Sequence, residues 1–430
     1  MVLVNSISYN LSINEEQFGD NSPIKQTFSF KHSIETKNLD CQAFFAENNS
    51  VLENYTKQRV KIEEDPTWRS LPMNCKAIRE RHYFQEDLLY EEEATFPIAY
   101  ARAVYTDYRF LEMELAASYA PQNHYCYAID KKASWKFKKR MNALAKCFPN
   151  VYLTKKKYPM DRYGLNMGYS HLECMKTLFR FDWKYLILLQ NHDVPLKTNQ
   201  ELIQIFEWYN GTNDVGALKA PPLDSLNEDK SWNQQNHQKK IRLNFAKSFV
   251  QTSLSRKAVN FILQRMNLTG IIDKIHENSS MIDGVGMTKD ELLTGTLNAE
   301  DRLNLPGGFT QHCLKQGIET DCLTRLTYWN GKRQCRSKIY RHYMCIFGME
   351  HMIELQSVPH LFANKFMPGE DFGAIACWFE FLQNQTHLSR NLNRLDKVAY
   401  WELPQVRYNR ERSSLGPDLF DINKFKCKQQ

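Results

Sequence analysis

The chain has 430 residues, of which 42% are hydrophobic and 13% aromatic, with Gly 17 and Pro 15; this excludes disordered, collagenous and low-complexity classes and leaves one large catalytic-sized domain or two tightly joined ones. The 56 basic and 49 acidic residues give a formal net charge of +7, which suits an anionic small ligand and gives no reason to expect nucleic acid as a partner. Mean hydropathy is -0.57, no apolar run of about 18 residues occurs, and the start MVLVNSISYN lacks the basic flank and apolar stretch of a signal peptide, so no membrane span is expected within the sequence itself.

Residues 1–92 are polar and irregular and read as a stem and wrapping segment; residues 93–430 read as the catalytic domain. After Pro97 short apolar runs alternate with helical ones. PIAYARAVY (97–105) is a predicted strand, and the next segment carries Phe110, Leu111, Leu115 and Tyr119 at helical spacing. HYCYAID (124–130), a helix over 135–148, NVYLT (150–154), a helix over 165–179 and KYLILLQ (184–190) continue the alternation. This pattern predicts an α/β fold with a mainly parallel sheet and helices on its faces, ligands lying beyond the carboxyl ends of the strands. Asp130, Asn191, His192 and Asp193 fall at two such ends, where they either meet a ligand or only end strands and cap helices. The stretch 211–255 is polar and reads as loop-rich; SLSRKAVNFILQRM after it reads as an amphipathic helix, as does TKDELLTGTL (288–297), with Asp290 and Glu291 in its first turn. A helix over 371–385 follows in the C-terminal third.

The chain has Cys 11 and no C-x-x-C pair, which argues against a zinc site and leaves either buried free thiols in a cytosolic enzyme or a disulfide framework with one thiol left over. Sequons at Asn10, Asn48, Asn54, Asn210, Asn267, Asn278 and Asn384 point to the second, toward a secretory compartment with N-glycosylation at those residues.

No P-loop, G-x-S-x-G elbow, H-E-x-x-H helix or G-x-G-x-x-G turn is present, and no D-x-D to hold a metal on a donor diphosphate. A diphosphate bound here needs Arg and Lys instead. The block CMKTLFRFDWKYLILLQNHDVPLKTNQELIQI (174–205), with TKDELLTGTL, CIFG (345–348) and HLFANKF (360–366), resembles the core-2/I-branching β-1,6-N-acetylglucosaminyltransferase family, over about residues 41–382.

The resemblance implies a type A, Rossmann-like glycosyltransferase fold and an inverting transfer of N-acetylglucosamine from a UDP-sugar in β-1,6 linkage onto core-1 O-glycans of glycoproteins, with no metal or other cofactor. It places the catalytic base at Glu291, which by itself is also an ordinary first-turn acid. It places donor contacts at Arg341 and Lys365 for the diphosphate, Asp130 near the uridine, and Tyr105 and Ala103 at the nucleotide, with Tyr328 on the acceptor side. It implies the disulfides Cys41–Cys377, Cys75–Cys147, Cys126–Cys174 and Cys335–Cys345; Cys313 and Cys322 are then left to pair with each other and Cys427 to stay free. Where the chain departs from the family, Gly216 replaces an acceptor-binding glutamate, Leu326 an acceptor-side tryptophan, Tyr105 a nucleotide-side histidine, and Arg162 with Tyr163 stands at a tyrosine. One extra residue separates Arg341 from Cys345, so His342 competes for the donor contact. A related hexosyltransferase with, for example, UDP-glucose, or an inactive sugar-binding homologue, are the alternatives. The family is anchored in the Golgi membrane as type II proteins and faces the lumen; since this sequence shows no anchor helix, a truncated or a secreted form is expected, and a homodimer is compatible with either.

Overall fold

The computed structural model describes residues 28–46, 49–64, 71–220, 243–278, 288–331, 334–389, 395–416 and 419–428. The first two sequons, at Asn10 and Asn48, and most of the polar stretch 219–232 lie outside these. Strands β1 (Ile98–Val104), β2 (His124–Ile129), β3 (Val151–Leu153) and β4 (Tyr185–Leu189) form where the apolar runs predicted them. All four are parallel, in the order β3-β2-β1-β4. Short strands β5 (Val194–Pro195), β6 (Leu218–Lys219) and β7 (Ala246–Lys247) follow, and β8 (Thr252–Ser255) closes the sheet antiparallel to β4. The sequence pattern missed β8: its residues TSLS are largely polar, yet all four are buried.

Alternation in β1 shows why the sheet is covered on both faces. Ile98, Tyr100 and Val104 enter one core with the helices Tyr108–Ser118, Trp135–Cys147 and Pro368–Asn384. Ala99 and Ala101 enter the other with the helices Met167–Leu178, Arg256–Arg265 and Leu268–Glu277. The chain winds from β1 through β2 to β3 on one side and returns to β4 on the other, so the end of β1 is the switch point where a ligand crevice opens.

A second sheet orders β5, β12 (Phe362–Ala363) and β9 (Arg325–Leu326), and β10 (Tyr340–Arg341) pairs with β11 (Met344–Cys345) as a hairpin. These short strands carry the end of β4 to the C-terminal third of the chain.

The described residues of the N-terminal segment, 28–46, 49–64 and 71–92, lie against the body. Arg59 Nη1 donates to Asp371 Oδ2 at 2.6 Å and to Glu350 Oε2 at 3.0 Å, and Tyr55 donates to the same Asp371 carboxylate. Arg109 holds Glu35 through two bonds of 2.8 Å. Disulfides join Cys41–Cys377, Cys75–Cys147, Cys126–Cys174 and Cys335–Cys345. The fifth corrects the expected pairing: Cys313 bonds Cys427, 114 residues away, and Cys322 is the buried free thiol. The reason is packing, since Cys313, Phe425 and Cys427 share one apolar cluster with Phe309 and Tyr408, whereas Cys322 sits against Asp214 and Gln251. Among the described residues no helix is long and apolar enough to cross a membrane.

Candidate active site

A cleft of about 380 Å³ opens at the carboxyl ends of β1, β2 and β4. Ala103, Tyr105, Asp130, Arg341 and Lys365, five residues spread over more than 260 positions, all line it, together with His342. Ala103 is buried on β1 and Tyr105, just beyond the strand, is half exposed. The backbone N–H of Tyr105 donates to Asn191 Oδ1 at 2.8 Å, which staples the end of β1 to the segment after β4. Asp130 follows β2; its Oδ1 accepts from the Lys132 N–H at 2.7 Å and the Met160 N–H at 3.4 Å. His192 also lines the cleft, with Nε2 2.6 Å from Asp107 Oδ2.

Behind this wall lies a buried polar network. Asp193 accepts from the Gln190 N–H at 2.6 Å, from Gln251 Nε2 at 3.0 Å and from Asn364 Nδ2 at 2.7 Å. Arg325 Nη1 and Nη2 donate to Gln251 Oε1 and Asn364 Oδ1 at 3.1 and 3.3 Å. Buried charges persist only when paired and hydrogen-bonded, and here the pairing fixes Asn364, the residue before Lys365. Burial, then the neighbouring Arg341 and Arg325, push the Lys365 ammonium down to about 8. Two cations held this close repel each other until an anion arrives.

Beside the cleft is the 3-10 turn Lys289–Glu291. Thr288 and Glu291 form a reciprocal cap, Lys247 Nζ sits 3.2 Å from Glu291 Oε2, and the Glu291 side chain is 13% exposed. Asp290, its neighbour, lines the cleft, and burial raises its carboxyl to about 6. Gly164 makes this packing feasible: at φ +78, a Cβ there would stand 2.1 Å from Asp290 Oδ1.

Tyr328 is not on this surface. It is 3% exposed, its ring packs on Phe347, and its hydroxyl donates to Glu354 at 2.6 Å. Neighbouring residues of an extended segment point to opposite sides. Trp329 is the one turned the other way: with Phe249 it flanks the Arg325 guanidinium, at 5.9 and 4.8 Å. Sequence reasoning missed Trp329, Phe249 and Lys247; the aromatic pair Tyr328–Trp329 was the available signal, but its register is set only by the fold. Of the sequons, Asn54, Asn210 and Asn267 are exposed and Asn278 and Asn384 half-buried.

Residues 98–356 match the family model described as Core-2/I-Branching enzyme. The chain belongs to that family. It is a glycosyltransferase with the mainly parallel α/β sheet of the type A fold. The human beta-1,3-galactosyl-O-glycosyl-glycoprotein beta-1,6-N-acetylglucosaminyltransferase 3 is 26% identical over 360 residues, covering 78% of this chain and 79% of the relative. The human N-acetyllactosaminide beta-1,6-N-acetylglucosaminyl-transferase is 28% identical over 312 residues, covering 68% and 73%. A bovine herpesvirus 4 protein named as a beta-1,3-galactosyl-O-glycosyl-glycoprotein beta-1,6-N-acetylglucosaminyltransferase is 26% identical over 346 residues, covering 75% of each chain.

Proposed function

We propose that this enzyme transfers N-acetylglucosamine from UDP-N-acetylglucosamine, with inversion and without a metal ion, in β-1,6 linkage onto core-1 O-glycans of glycoproteins. The observation that carries the reading is the convergence of Asp130, Arg341 and Lys365 on one cleft with Glu291 in the turn beside it. Arg341 and Lys365 supply positive charge where the chain has no D-x-D. The diphosphate leaves against them while Glu291 takes the proton from the attacking sugar hydroxyl. One base suffices for a direct displacement; a retaining mechanism through a carboxylate nucleophile would need a second carboxyl group about 5 Å from the acid. Among the described residues the two metal-compatible clusters, Cys335 with Cys345 and His351, and Cys41 with His32 and Glu380, contain disulfide-bonded cysteines, and none of their residues lines the cleft. Lys247, Trp329 and Phe249 form the acceptor side, since they lie around Arg325 and Glu291. Five disulfides and the exposed sequons support work in the Golgi lumen, where the family's type II membrane proteins face.

The test is a donor screen in EDTA with UDP-N-acetylglucosamine, UDP-glucose and UDP-galactose, a core-1 disaccharide acceptor and detection by mass. Transfer of N-acetylhexosamine supports the proposal, and transfer of a hexose moves the donor to UDP-glucose or UDP-galactose. Glu291→Gln should lower transfer by about 10²–10⁴-fold and leave UDP affinity unchanged; undiminished transfer would remove Glu291 as the base. A protein that UDP does not stabilise against heat has no donor site of this kind.

A further inference from the structure

The hairpin β10–β11 turns through two residues, His342 and Tyr343, with φ 51 and φ 62. Positive φ at both central positions is the type I′ geometry, which Asn-Gly satisfies without strain and a bulky side chain does not. The strain is imposed from outside the turn. Tyr340 pairs with Cys345 and Arg341 with Met344, the Cys335–Cys345 disulfide ties down the base, and the Asn330 N–H donates to the Tyr343 carbonyl at 2.9 Å. Strain over-determined in this way and placed at a cleft is an indication of a functional side chain. Both side chains are exposed, but His342 lines the donor cleft and Tyr343 does not.

We propose that His342 is a third cationic contact for the donor diphosphate, held in the wall of the cleft with Arg341 and Lys365 by the strained turn. This rests on the donor reading above and extends it to a residue that binds by taking up a proton. Burial, then Lys365, Arg341 and Arg162, holds the imidazole below its usual range in the free enzyme; Asp130, Asp161 and Asp290 are the acids that line the same cleft, and Lys132 is a further cation there. A bound diphosphate reverses that balance, so the ring gains its proton as the anion enters.

The experiment measures UDP affinity by calorimetry between pH 8 and 6, and thermal midpoint without ligand, for wild type, His342→Asn and Tyr343→Gly. Both substitutions relieve the left-handed strain, so both midpoints should rise by about 1–2 °C. His342→Asn should bind UDP about tenfold more weakly at pH 6 and lose part of the gain in affinity that the wild type shows on acidification; the difference between the two proteins removes the titration of UDP itself. Tyr343→Gly should bind UDP as the wild type does. If His342→Asn binds UDP as tightly as wild type with the same pH profile, the contact is refuted. If its midpoint falls, the imidazole holds the turn together and the proposal is likewise overturned. A wild type that does not bind UDP at all refutes the donor reading as a whole, which separates the two failures.

Discussion

Lys365 offers the sharpest test of the donor cleft, because its charge is set by its surroundings. With its ammonium pushed down to about 8 by burial and by Arg341 and Arg325, roughly nine-tenths of the side chain is charged at pH 7 and about one-tenth at pH 9. If only the charged form holds the diphosphate, UDP should bind about tenfold more weakly at pH 9 than at pH 7. Titration calorimetry at pH 7, 8 and 9, in buffers of different ionisation enthalpy, gives both the affinity and the proton taken up. Lys365→Met removes one charge-assisted bond, worth about 1.5–3 kcal/mol, so UDP should bind about 10- to 150-fold more weakly at pH 7, with the pH slope lost. Lys365→Arg, which does not titrate in this range, should bind UDP with a flat profile. The stability of the free enzyme should move in the opposite sense. Unfolded lysine keeps its proton up to its ordinary value while folded Lys365 gives it up near 8, so between those pH values the unfolded state binds more protons and stability rises with pH. A wild type with constant affinity from pH 7 to 9, or a Lys365→Met variant that keeps the wild-type slope, would refute the reasoning.

Two further outcomes test the frame around the cleft. Arg59→Ala leaves Asp371 and Glu350 without their shared guanidinium, and Asp371 is fully buried. Removing one partner of such a pair should cost about 3–5 kcal/mol, seen as a lower midpoint in chemical denaturation; a change below about 1 kcal/mol would mean that the N-terminal segment contributes little to the fold. Thiol titration should find no reactive thiol in the native protein and one, Cys322, after unfolding without reductant. Three thiols, with Cys313 and Cys427 among those labelled in a peptide map, would show that the Cys313–Cys427 bond does not form.

The sequence by itself determined the sheet and its helices. β4, and β1 apart from Arg102, are apolar on both faces and each following helix repeats its apolar residues at helical spacing, so local pattern and final packing agree. Through family resemblance it also named Ala103, Tyr105, Asp130, Arg341 and Lys365, which the fold brings to one cleft. What it did not determine depends on which distant groups meet. β8 reads as a loop because Thr252, Ser253 and Ser255 are polar, yet Asp214 and Thr324 supply hydrogen bonds to Ser253 in the interior. Cys313 had a nearer cysteine in sequence, but only the docking of the C-terminal segment decides that Cys427 is its partner. Tyr328 and Trp329 are chemically alike as candidates, and the docking of residues 328–330 on β11 and its turn settles which of them is buried against Phe347. A side chain's type is written in the sequence, but its partners are fixed only when the chain closes over long separations, and it is those partners that set the charge of Lys365 and the strain at His342.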